Sequence, residues 1–180
     1  MKGLIAVLFV INLLLLAEVY RLKSGPAPLL VDISSYIEQP ELPEVPVADS
    51  SGKLVNLCEV VARDMPTLMV FFSSSDCPNC FSEKSLWSEV SDETATRVVG
   101  VAVSSSGPEF WQWVSYMDFP IPIYLDTTYA IFDSMQFRVT PLKVLVKENG
   151  DLMWADPPRL SKPEQMLFWR EFNYAIEEYF

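Results

Sequence analysis

Histidine is absent from the 180 residues. That removes Ser-His-Asp triads, Cys-His dyads and every His-ligated metal centre. Cysteine occurs only three times, too few for a four-thiolate zinc site within one chain, so neither a metal nor another cofactor is expected. Basic residues are scarce as well: 13 Lys+Arg face 24 Asp+Glu, a net charge of −11. A surface this acidic repels phosphate backbones and anionic headgroups, so no nucleic-acid partner is expected. What is present is a chain half apolar and 21% charged, the balance of a folded core. Its length suits one domain with an N-terminal appendage. Thiol, carboxylate, hydroxyl and lysine are the groups left for chemistry.

Residues 4–17, LIAVLFVINLLLLA, hold one polar residue, Asn12, and Val19 and Tyr20 extend the segment past Glu18. Spanning a bilayer takes about 20 apolar residues, and a signal-peptide core about 7–15. Leu15 is too large for the −3 position of a cleavage after Ala17, and no cysteine follows before Cys58 to carry a lipid. Residues 1–22 are therefore expected to be a membrane anchor or signal segment, inserting through residues 4–20, with secretion after cleavage as the alternative. Lys2 lies on one flank and Arg21 and Lys23 on the other, so charge does not set the orientation. An N-terminal apolar segment followed by a whole domain usually exports it, which places the domain on the periplasmic or extracellular side. Residues 23–44, with Pro26, Pro28, Pro40 and Pro43, read as an extended tether, leaving 45–180 as the domain.

Val45–Ala48 and Lys53–Val55 flank a turn and predict a short hairpin, after which Asn56 caps a helix to Ala62. Thr67–Phe72 and Arg97–Val103 are apolar runs of strand length, expected of strands buried on both faces. Helices are predicted to about Ser91 after the Ser73–Cys80 loop, over Pro108–Met117 and over Thr128–Met135. A short extended piece is predicted at Ile121–Leu125. Leu142–Lys147 and Leu152–Ala155 flank an Asn-Gly hairpin turn. A last helix opens on Ser161 and Glu164 in capping-box spacing. Strands alternating with helices and ending in a hairpin give an α/β fold: a central mixed sheet with helices on both faces.

Cys77-Pro78-Asn79-Cys80 falls between a buried strand and a helix. Cys77 is expected at the N-cap, where free backbone N–H groups and the helix dipole stabilise a thiolate, the reactive form of a thiol. Pro78 suits the first turn. Cys80, one turn along, can close a disulfide with Cys77 and resolve a mixed disulfide formed there. Val139-Thr140-Pro141 precedes the next strand, a place where a cis proline would be used.

On these segments the chain resembles the thioredoxin superfamily, and within it the membrane-tethered TlpA/ResA/MauD-like members. LPEVPVADSSGKLVNL, PTLMVFFSSSDCPNCFSEKSLW, VTPLKVLV and ENGDL carry the likeness. The resemblance implies a thiol–disulfide oxidoreductase with Cys77 as nucleophile and Cys80 as resolving thiol. Thr140 and Pro141 would line the substrate groove beside Pro78 and Asn79. Cysteine-containing proteins and a membrane electron donor or acceptor would be its partners. Two positions depart from that pattern. Asp76 stands where many members have tryptophan, and its charge opposes a thiolate. Phe71 stands where many have a buried aspartate, leaving Asp76 or Glu83 as sources of a general base. Two alternatives follow: a redox-inert binding module, and a thiol-dependent peroxidase using Ser74 ahead of Cys77. Cys58 reads as a small buried residue.

Overall fold

Two apolar runs set the centre of the molecule, because strands covered on both faces have no side left for polar residues. In the computed structural model these are β3 (Thr67–Ser73) and β4 (Arg97–Val103), paired in parallel from Thr67 opposite Arg97 to Ser73 opposite Val103. The structure describes residues 11–12, 33–74 and 77–180, the last span without the side chains of 77, 78 and 81. Ahead of β3 come β1 (Pro46–Ala48), β2 (Leu54–Asn56) and the one-turn helix α1 (Leu57–Val60). Helix α2 (Cys77–Glu93) joins β3 to β4, and α3 (Gly107–Met117), β5 (Ile123–Asp126) and α4 (Ala130–Met135) follow. The chain closes with β6 (Leu142–Val146), β7 (Leu152–Asp156) and α5 (Lys162–Tyr179). Among the described residues the strands form one seven-stranded mixed sheet in the order β2-β1-β5-β4-β3-β6-β7.

Alternate residues of the strands enter two separate cores. Leu68, Val70 and Phe72 pack on one face with Cys80, Leu86, Trp87 and Val90 of α2, Phe110 of α3, and Phe168 and Phe172 of α5. Met69 and Phe71 face the other way, among Leu57, Val60, Ile131, Met135 and Leu142. Helices thus cover both faces, as the strand and helix alternation implied.

Local chemistry explains most of the boundaries. The Asp49 carboxylate accepts from Ser51 N–H and Lys53 N–H, and Gly52 takes φ 82°, which closes the β1–β2 hairpin. Asn56 Oδ1 accepts from Cys58 N–H at 3.0 Å and caps α1, which ends at Val60 rather than Ala62. Helix α4 begins at Ala130, two residues later than expected. Buried Asp126 accepts from Thr128 N–H at 2.7 Å and Ile131 N–H at 2.9 Å, holding a turn there with Tyr129 at φ 64°. The β6–β7 hairpin forms, but only Gly150 of the Asn-Gly pair has positive φ, 92°. Its turn is therefore not the two-residue I′ form, which needs positive φ at both residues. Glu164 accepts from Ser161 N–H at 2.8 Å, completing the capping box of α5.

The stretch read as a tether departs from expectation where it is described. From Ile33 it packs on the domain: Ile37 and Leu42 are buried, Leu42 N–H donates to Gly150 O, and Leu152 N–H donates to Pro40 O. Ile33 and Tyr36 pack partly against the same core, so apolar burial and backbone pairing together seat it. The anchor or signal segment expected over 1–22, and residues 23–32 of the tether, lie outside the described residues apart from 11–12. Among the described residues no helix is long and apolar enough to cross a membrane.

Candidate functional site

The CPNC segment occupies the first turn of α2, directly beyond β3. The helix starts at Cys77 itself, one position earlier than the N-cap placement expected from Pro78. A proline at the second helical position costs the helix no hydrogen bond, because its first four N–H groups have no intrahelical acceptor. Asn79 is half-buried and Cys80 is fully buried, within the core between α2 and the sheet. Asp76 and the side chains of Cys77 and Pro78 lie outside the described residues.

Strand register brings the proline loop to the same place. β6 runs antiparallel to β3, with Leu142 opposite Phe71. Pro141 therefore stands beside the C-terminal end of β3, from which the chain passes into CPNC. The Thr140–Pro141 peptide is cis; Thr140 is half-buried and Pro141 buried. Ser74 is exposed just past β3. Phe71 turns away from Cys80, into the opposite core, where its ring lies 4.8 Å from that of Phe137.

Glu83 is on the Cys80 side. Three residues apart on one helix, the two side chains share a face, with Cβ atoms about 5–6 Å apart; both are fully buried. Glu83 Oε1 accepts from Lys143 Nζ at 2.6 Å and from Arg159 N–H at 2.5 Å, while Oε2 has no hydrogen-bond partner among the described residues. Burial pushes the Glu83 carboxyl above the usual range, and the Lys143 charge pulls it partly back. Lys143 Nζ also donates to Pro157 O at 2.7 Å and pairs with Asp156 Oδ2 at 3.0 Å. Arg159 bonds Asp156 through Nε at 2.7 Å and Glu171 through a terminal nitrogen at 2.7 Å.

Of this network the sequence reading singled out only Glu83. The visible signal was Lys143, a charge in the middle of the apolar run PLKVLV, where lysine is almost never buried without a partner. Asp156, Arg159 and Glu171 carried no such mark. Cys58 is a free, half-buried thiol packed against the core on the sheet face opposite Cys80, its Sγ 3.9 Å from the carbonyl oxygens of Leu42 and Pro43. Burial, then the nearby Glu44 charge, push its pKa up.

No family model and no curated protein matches the sequence. Solved structures do match. The exposed lipoprotein thioredoxin Etrx1 of Streptococcus pneumoniae is 18% identical, over 72% of this chain and 99% of that one, with a TM-score of 0.57. A putative thiol:disulfide interchange protein DsbE from Chlorobium tepidum is 12% identical over 76% and 95%, with a TM-score of 0.60. A secreted disulfide oxidoreductase of Mycobacterium tuberculosis is 17% identical over 72% and 96%, with a TM-score of 0.54. At these identities the likeness establishes the fold, which is thioredoxin-like, and fold alone does not assign function.

Proposed function

We propose that the chain is a thiol–disulfide oxidoreductase that exchanges disulfides with cysteine-containing proteins through Cys77 and Cys80, on the extracytoplasmic side of a membrane to which residues 4–20 anchor it. The observation carrying this reading is the CPNC pair in the first turn of α2, level with cis Pro141 across β3 and β6. A buried β-strand delivers the first cysteine to a helix start, where the backbone favours a thiolate. The extracytoplasmic placement draws on the apolar N-terminus, and on neighbours described as an exposed lipoprotein and a secreted oxidoreductase.

In the reducing direction the Cys77 thiolate attacks one sulfur of a partner disulfide. That bond breaks, one partner sulfur leaves as thiolate, and a mixed disulfide forms. Cys80 gives its proton to the Glu83 carboxylate and attacks Cys77. The Cys77–Cys80 bond forms and the second partner sulfur leaves, so two electrons have passed to the partner. The oxidising direction runs the same steps backwards. Asp76 acts as a modulator that opposes the thiolate at Cys77. The groove beside Pro78, Asn79, Thr140 and Pro141 receives the partner's extended backbone, and a membrane electron donor or acceptor resets the pair.

Cys77→Ser removes the attacking sulfur and is expected to abolish exchange with insulin or a model disulfide peptide, followed by turbidity or thiol release. Retained exchange in that variant would overturn the assignment.

A further inference from the structure

Lys143 lies where a lysine has least reason to be: the second residue after Pro141, inside an apolar strand, with no exposed side-chain surface. An ammonium this dry needs acceptors and opposite charge close by. Glu83 Oε1 of α2 and Pro157 O accept from it at 2.6 and 2.7 Å, and Asp156 Oδ2 of β7 forms an ion pair with it at 3.0 Å without hydrogen-bond alignment. The ring of Phe168 on α5 covers it at 5.6 Å. The nitrogen is thus fixed from three elements of the fold.

Among the described residues, the charged groups paired with Glu83, directly or through a shared partner, form one cluster. Lys143 and Arg159 supply two cations, Asp156 and Glu171 add two carboxylates, and burial and then the Asp156 charge push the pKa of Tyr36 up. Lys143 is the only one of the two cations whose side chain touches Glu83; Arg159 reaches it through the backbone N–H. Both contacts fall on Oε1, which leaves Oε2 buried and without a hydrogen-bond partner among the described residues, three positions along the helix from Cys80.

We infer that Lys143 is a positioning residue of the thiol centre: it holds the Glu83 carboxyl on the Cys80 side of α2 and sets the pH range in which that carboxyl can take the proton of Cys80. This rests on the redox reading of Cys77 and Cys80. Without the ammonium, a buried carboxyl with one backbone donor keeps its own proton to higher pH. A carboxyl already protonated cannot accept another, so the resolving step waits for a more alkaline solution.

The test is made on the full chain with K143M, K143R, E83Q and E83Q/K143M. Two properties are followed against pH: the ionisation of Glu83, from the carboxylate infrared band absent in E83Q, and the rate of exchange with a model disulfide. K143M is expected to move both the Glu83 titration and the acid limb of the rate profile up by a unit or more. That is roughly a tenfold loss of rate at a pH on the limb. K143R restores both, because it returns the charge. E83Q and E83Q/K143M share one profile, because the lysine has no carboxyl left to hold. An unmoved Glu83 titration in K143M, or a difference between E83Q and E83Q/K143M, overturns the inference. The last comparison stands even where K143M alone fails to fold, since the double variant leaves neither member of the pair charged. Absence of exchange in the wild-type chain sinks the redox reading instead, and the infrared titration still decides whether Lys143 governs Glu83.

Discussion

Glu83 gives the fold a pH dependence whose sign follows from its surroundings. Burial raises its carboxyl in the folded state, while in the unfolded chain it titrates near the ordinary value of about 4.3. Between the two values the folded protein holds a proton that the unfolded chain has lost. The stability tied to this group is therefore complete below the ordinary value and is lost as pH rises through the raised one. Urea unfolding followed upward from pH 4 should show the wild type losing stability through that window. Glu83→Gln should lose less, and identical slopes would contradict the placement. Cys80 and Glu83 also show why the site was only half visible beforehand. Two cysteines three apart announce themselves, and Glu83 follows on the same helical face. Lys143 is 60 positions from Glu83, and the Arg159 N–H 76, so their meeting depends on how β6, β7 and α2 are stacked.

Elements buried on both faces were the easiest to read. TLMVFF and RVVGVAV have no polar alternation, and β3 and β4 fall on those runs to within a residue. Boundaries governed by side-chain to backbone hydrogen bonds were not readable in the same way. The start of α4 follows from the Asp126 carboxylate, and the seating of residues 33–44 from backbone pairing with Gly150 and Leu152. At the level of the sheet, Gly100 marks a tight crossing. A Cβ there would stand inside contact distance of Ile123 Cδ1 and 3.1 Å from Phe72 Cε1. Gly100→Ala is expected to cost about 1–3 kcal/mol through overpacking. Chemical denaturation measures it, and an unchanged midpoint would show that β4 and β5 have slack the packing does not suggest.

Across the whole molecule the acidic balance chooses among partners more than it shapes the fold. A net charge of −11 attracts basic peptides over distances of about a Debye length, roughly 10 Å at 0.1 M salt. Exchange with a basic disulfide peptide should be faster than with an acidic one of equal length at low ionic strength, and the difference should shrink as salt is added. Equal rates at low salt would count against long-range steering. The thioredoxin-like architecture places β3, α2 and the Pro141 loop at one end of the sheet, and the redox reading stands or falls with the two sulfurs there. The most direct measurement is the redox equilibrium of the intact chain in glutathione and dithiothreitol buffers, with thiols counted by alkylation and mass. A reversible disulfide between Cys77 and Cys80, with Cys58 remaining a thiol throughout and a midpoint between about −270 and −120 mV, is the predicted result. No reversible bond between those two cysteines would contradict it, and would leave a thioredoxin-like fold that binds without exchanging electrons.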